Sequence, residues 1–172
     1  YLNCKSDFLT PHIDSLKKQS INFENAYCQY PLCHPSRSSM LTGLHPFTNG
    51  VYMFEKIDEN SFPIMPAYLK ENNYFTVGIG KIFHPKYNIK DAWHHSIEIY
   101  DNLREFIKND GNPLVSQFFS FGPVDIPITE TNDYKIIKNA IDLIKSKQKN
   151  PWFLAVGLNA PHTPLFSPRE FY

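Results

Sequence analysis

The residues best able to do chemistry fall in one short run, Cys33-His34-Pro35-Ser36-Arg37, followed by Leu41-Thr42-Gly43. A thiol becomes a nucleophile when a helix N-terminus and a nearby cation lower its pKa. Pro35 suits a first helical turn and Gly43 a left-handed stop, so the run predicts a helix with Cys33 at or just before its start. Arg37 would stand one turn further along the same helix. The bland alternative for Cys33 is a buried apolar thiol. The loop of a protein tyrosine phosphatase is excluded, because it needs five residues between Cys and Arg and only three stand here. Zinc is poorly supported, since His34 adjoins Cys33 without a Cys-x-x-Cys or His-x-x-x-His pair. Cys28 could pair with Cys4 or Cys33, or stay free.

A second group follows two apolar runs. Lys81 and His84 come just after Tyr74–Gly80, and His162 comes after Trp152–Gly157 within Ala160-Pro161-His162-Thr163-Pro164. In an open α/β sheet, ligands bind beyond the carboxyl ends of the strands. Lysine would supply charge for an anion, and histidine can move a proton near neutral pH. His94 and His95 carry no motif and are expected at solvated or rim positions.

These side chains need a scaffold. Thr10-Pro11 opens a predicted helix running to about Ser20, with Ile13 and Leu16 inward. Ile21 to Tyr27 reads as a strand by its alternation. Pro63 to Asn72 predicts a helix burying Met65, Tyr68 and Leu69. Residues 44–62 and 81–130 are expected to be irregular, apart from a short helix at 101–108. Ile136, Ile137, Ala140, Ile141 and Ile144 recur at helical spacing over 132–147, with Lys145 and Lys147 favouring the C-terminal end. The runs 74–80 and 152–157 read as strands, the second buried on both faces. Helices alternating with such runs predict an α/β fold with a parallel sheet.

Composition narrows the function. The 172 residues carry 17 Lys+Arg against 17 Asp+Glu, which removes the net positive charge typical of a nucleic-acid binder. No apolar run reaches the roughly 20 residues of a membrane span. Three cysteines do not make a disulfide framework. There is no Asn-x-Ser/Thr acceptor site. The chain starts at Tyr1 without a leader-like segment and stops at Tyr172, so it is expected to be a segment of a longer protein.

The order and spacing of Cys33-x-Pro35-Ser36-Arg37 and Leu41-Thr42-Gly43 resemble the signature of the type I sulfatases, in which that Cys is oxidised to formylglycine. Leu44 stands where the family usually has Arg. Gly80-Lys81-Ile82-Phe83-His84-Pro85, Phe153–Gly157 and Pro161-His162-x-Pro164 resemble elements of the branch that holds the iduronate 2-sulfatases. Thr10–Asp14 and Phe121–Pro127 also resemble segments of that branch. The likeness runs over nearly the whole chain in the same order.

The resemblance implies an alkaline-phosphatase-like α/β sandwich, of which residues 1–172 would be part of the N-terminal catalytic domain. It implies a sulfuric ester hydrolase acting on glycosaminoglycan sugars of the heparan or dermatan sulfate type. One hydroxyl of hydrated formylglycine would attack sulfur, and loss of a proton from the other would release sulfate. Cys33, oxidised by a formylglycine-generating enzyme, would be nucleophile and metal ligand. Arg37 would hold the hydrate, Lys81 the sulfate oxygens, and His84 would assist deprotonation. His162 would contact sulfate and protonate the leaving alcohol. The family's Ca2+ is held mainly by an Asp pair and by an Asp with His or Asn. Neither set is here, and Asp7 and Asp14 do not match, so the segment alone is expected to be inactive. A lysosomal or secreted setting is implied, or a periplasm in bacteria. The rivals are a phosphate or phosphonate ester hydrolase of the same fold and a catalytically inactive binding protein.

Overall fold

The computed structural model describes residues 9–100, 121–146 and 150–171. The helix expected at 101–108, together with Cys4, Asp7 and Lys147, lies outside them. Strand β1 (Phe75–Gly80) sits between β2 (His95–Ile97) and β4 (Trp152–Gly157), and both pairings are parallel. A second parallel pair joins β3 (Phe121–Val124) to β5 (Leu165–Pro168). The helices are α1 (Pro11–Lys18), α2 (Cys33–Thr42), α3 (Pro46–Asn49), α4 (Met65–Glu71) and α5 (Asn132–Lys145).

The pleat of β1 sends alternate side chains to opposite faces. Val77 and Ile79 meet Ile136 and Ala140 of α5, with Leu154 of β4 against them. On the other face Trp93 lies over Gly78 and stacks on Phe153 at 6.1 Å. Trp93 belongs to a core with Leu41 of α2, Val51, Ile57, Ile64, Ile82 and Phe83. Both faces of β1 are therefore covered, as a parallel sheet requires.

α2 forms as its composition predicts. Leu32 precedes it in extended backbone, and Gly43 ends it at φ 70° with its N–H on the Ser39 carbonyl at 2.8 Å. α5 is capped by Thr131, whose hydroxyl accepts the Tyr134 N–H at 3.3 Å.

Four expectations need correction. Residues 21–27 are not a strand; Ile21, Phe23 and Tyr27 are 78–90% exposed and pair with no described strand. Alternation alone cannot make a strand without a neighbour to receive its hydrogen bonds. α1 exists, but it has no buried residue, so Ile13 and Leu16 stay exposed. On α4 the buried residue is Pro66, next to buried Ile64, while Met65 and Tyr68 face out. β4 is the edge of its sheet among the described residues and is only partly covered. The irregular stretches also hold α3, β2 and β3, which sequence periodicity did not signal.

The strand ends are tightly apposed. Gly80 has φ +78° and lies in register with Gly157, and the Lys81 N–H donates to the Gly157 carbonyl at 2.8 Å. A Cβ on Gly157 would overlap the Lys81 carbonyl group. Gly157→Ala is expected to destabilise the full-length protein by about 1–3 kcal/mol, as overpacking does. An unchanged denaturant midpoint would contradict this close approach.

Candidate active site

Cys33 is the first residue of α2, half-buried, with a free thiol. Exposed Cys28 is also a free thiol, so the two are not bridged. Arg37 stands one turn along α2. Its guanidinium donates from Nη1 to the Lys81 carbonyl and, at 3.0 Å, to the Ile82 carbonyl. The start of α2 is thereby tied to the turn that leaves β1. Burial pushes the Arg37 pKa below its ordinary value, while the charge on Cys33 pushes it back up. Arg37 thus couples the thiol's helix to the segment carrying Lys81 and His84.

Lys81 follows β1 directly and is 9% exposed. His84 comes next, half-buried, and its Nδ1 is buried without a hydrogen-bond partner. Burial is the largest influence lowering the His84 pKa, and His34, Lys81, Lys86 and Arg37 push the same way. Neutral imidazole is the form that can accept a proton. Around pH 6.5, the ordinary histidine value, the unfolded chain holds more proton at this residue than folded His84 does. The stability held at neutral pH should therefore fall as pH drops below that value. His84→Gln should flatten this dependence in acid denaturation, and a variant with an unaltered slope would contradict the assignment.

The structure also reveals a cluster that the sequence did not signal. His34 is 1% exposed and donates from Nε2 to the Glu55 carbonyl at 2.8 Å. Its Nδ1 is buried and unpartnered. The ring stacks on Tyr87 at 4.5 Å and on Phe54 at 6.3 Å. His84 meets the edges of His34 at 5.8 Å and Phe54 at 5.2 Å. The Glu55 carboxylate accepts the Tyr52 and Met53 N–H groups at 2.9 and 2.7 Å, which fixes the turn bearing Phe54. In sequence His34 is the variable residue of a motif, and these contacts come from 20 to 53 residues away, so local pattern could not show them.

His162 lies at the same end of the sheet, five residues after Gly157, as Lys81 and His84 lie after Gly80. It is exposed, and its Nδ1–H donates to the Thr163 carbonyl at 2.6 Å. It lines a cavity of about 400 Å³ with Asp133 and Asn159, whose walls include none of Cys33, Arg37, Lys81 and His84. The structure thus gathers four of the five candidate residues around the start of α2 and puts the fifth on a neighbouring loop. His94 and His95 are exposed, as expected, and His94 Nδ1 also accepts the Thr76 N–H at 3.1 Å.

Calcium is a hard cation that takes about 6–8 oxygen ligands. Among the described residues no three of His, Cys, Asp and Glu gather as a metal-holding set. The charged groups that act on His84 are His34, Lys81, Lys86 and Arg37, and Arg37 is the one that acts with Cys33, so none of them is an oxygen donor. These residues alone do not fit a calcium ion.

Comparison with known proteins gives a consistent answer. The family model described as Sulfatase matches residues 2–172. Iduronate 2-sulfatases of Mus musculus and Homo sapiens are each 34% identical over 99% of this chain. A sulfatase of Formosa agariphila is 30% identical over 97% of the chain. The chain spans 34% of the length of the two mammalian relatives. The solved structure of Ps i-CgsB in complex with k-i-k-neocarrahexaose superposes with a TM-score of 0.66 at 23% identity, covering 95% of this chain and 42% of that one. That likeness bears on the fold and agrees with the parallel sheet flanked by helices described above.

Proposed function

Because the chain belongs to the sulfatase family, we propose that it forms the N-terminal part of the catalytic domain of a sulfuric ester hydrolase. The observation that supports this reading is the Arg37 guanidinium donating to the Lys81 and Ile82 carbonyls, which ties α2, where Cys33 stands first, to the turn that carries Lys81 and His84. Cys33, oxidised to formylglycine by a formylglycine-generating enzyme, would supply the attacking hydroxyl. Lys81 would bind sulfate oxygens, where a fixed positive charge favours the charge that builds in the transition state. Neutral His84 would take up a proton. Arg37 would keep both in place and add positive potential. His162 would serve the leaving alcohol.

The substrate is a sulfated sugar of the glycosaminoglycan kind, for which the iduronate 2-sulfatase relatives are the support. The compartment is lysosomal or secreted, or periplasmic in a bacterial host. Calcium ligands other than Cys33 as formylglycine would come from chain beyond these residues.

Paired assays on full-length protein test the reading. Sulfated and phosphorylated forms of one aryl alcohol, and a sulfated disaccharide, would be offered side by side. Faster release of sulfate than of phosphate is expected. Faster phosphate release would favour the phosphoesterase, and no release of either would favour an inactive binding protein.

A further inference from the structure

Resting on the sulfatase reading above, we propose that Asp133 is a positioning residue that holds the turn carrying His162 in its working place. Asp133 lies in the first turn of α5, where an acidic residue commonly satisfies the free N–H groups of its own helix. Thr131 already performs that task here. The Asp133 carboxylate reaches instead to the turn after β4. One oxygen accepts the Asn159 N–H at 2.8 Å and the Asn159 side-chain amide at 3.1 Å. The other accepts the Ala160 N–H at 2.9 Å.

Asn159 passes the constraint on in two directions. Its side-chain amide also donates to the Ile99 carbonyl at 3.4 Å, and its own carbonyl accepts the His162 N–H at 3.0 Å. The chain of contacts thus runs from α5 through Asp133 and Asn159 to the His162 backbone. α5 is a firm base for it, since Ile136 is fully buried against β1 and Ala140 nearly so. The His162 ring is set as well. Its Nδ1–H is committed to the Thr163 carbonyl, which makes Nε2 the basic nitrogen. An exposed imidazole on a loop would otherwise sample several placements. A misplacement of about 1 Å can cost on the order of 10²-fold in rate.

The test uses full-length protein and an aryl sulfate ester. Asp133→Ala should lower kcat by about 10–100-fold with KM little changed. His162→Ala should also lower kcat, and the double variant should be no slower than His162→Ala alone, because the two residues act through one group. Asp133→Asn keeps one acceptor oxygen for the turn and should recover part of the loss. An unchanged kcat in Asp133→Ala, even with a lower melting temperature, would overturn the proposal. So would effects of the two substitutions that simply multiply. If the wild-type protein cleaves no sulfate ester, the sulfatase reading fails on its own account. Amide hydrogen exchange then judges the tether: faster exchange at Asn159 and Ala160 in Asp133→Ala supports it, and unaltered exchange refutes it.

Discussion

Replacing Cys33 with alanine is expected to lower kcat of the full-length protein toward sulfate esters by at least about 10⁴-fold, the scale of losing an enzymatic nucleophile. Serine at this position should fare little better, since it lacks the second hydroxyl on the same carbon that lets sulfate depart. The fold should survive both changes. Cys33 is half-buried at a helix start and bonded to no other cysteine among the described residues. Its side chain is not part of either apolar core. Stability should therefore move by no more than about 1 kcal/mol. Kinetics and thermal unfolding on one preparation check both halves. Residual activity near the wild-type level would remove Cys33 from the chemistry, and a collapsed fold would make the loss uninformative about catalysis.

Arg37→Ala is expected to damage stability and rate together. It removes the donor that serves the Lys81 and Ile82 carbonyls. Leaving such acceptors unpaired costs about 1–3 kcal/mol. It also frees the turn that presents Lys81 and His84, and it removes positive potential beside Cys33. Loss of a preorganised electrostatic contact typically costs about 10²–10³-fold in kcat. Arg37→Lys should restore charge but only part of the rate, because an ammonium lacks the planar fork of guanidinium donors. A full rescue by lysine would show that charge alone matters and that the bridge does not.

How much of this was legible beforehand depends on the range of the interactions. The helix start at Cys33, its stop at Gly43, the β1 and β4 strands and the long α5 follow from local pattern, and the structure agrees. Their signals are a capping glycine, an apolar run and a 3.6-residue period, each contained in about a dozen residues. Three short strands carry no such signal. β2 is only His95–Ile97, β3 contains Gly122 and Pro123, and β5 ends on Pro168. None carries an apolar run, and their strand character comes from parallel partners far away in sequence. Residues 21–27 are the opposite case, an apolar alternation that meets no described strand partner.

The candidate site divides in the same way. The motif singled out Cys33, Arg37, Lys81, His84 and His162, but their mutual geometry was not readable. The resemblance has Arg37 hold the hydrate, and in the folded chain its guanidinium donates to main-chain carbonyls 44 and 45 residues on. His34 occupies the variable position of the motif, and the folded chain makes it a buried ring at the centre of an aromatic cluster. Asp133 carries no local signal, because its three acceptor contacts lie 26 and 27 residues downstream. Each case is a side chain whose role is set by partners that only the folded chain brings near.

The proposed chemistry requires that the side chain at position 33 be converted to an aldehyde in the working protein. Full-length protein purified from its own host, shown to hydrolyse a sulfate ester and then digested, would give a peptide spanning Cys33 for mass spectrometry. The account predicts the mass of formylglycine in that peptide, with activity rising in proportion to the converted fraction. A preparation that splits sulfate esters at full rate while every copy of the peptide retains an unmodified thiol would contradict it.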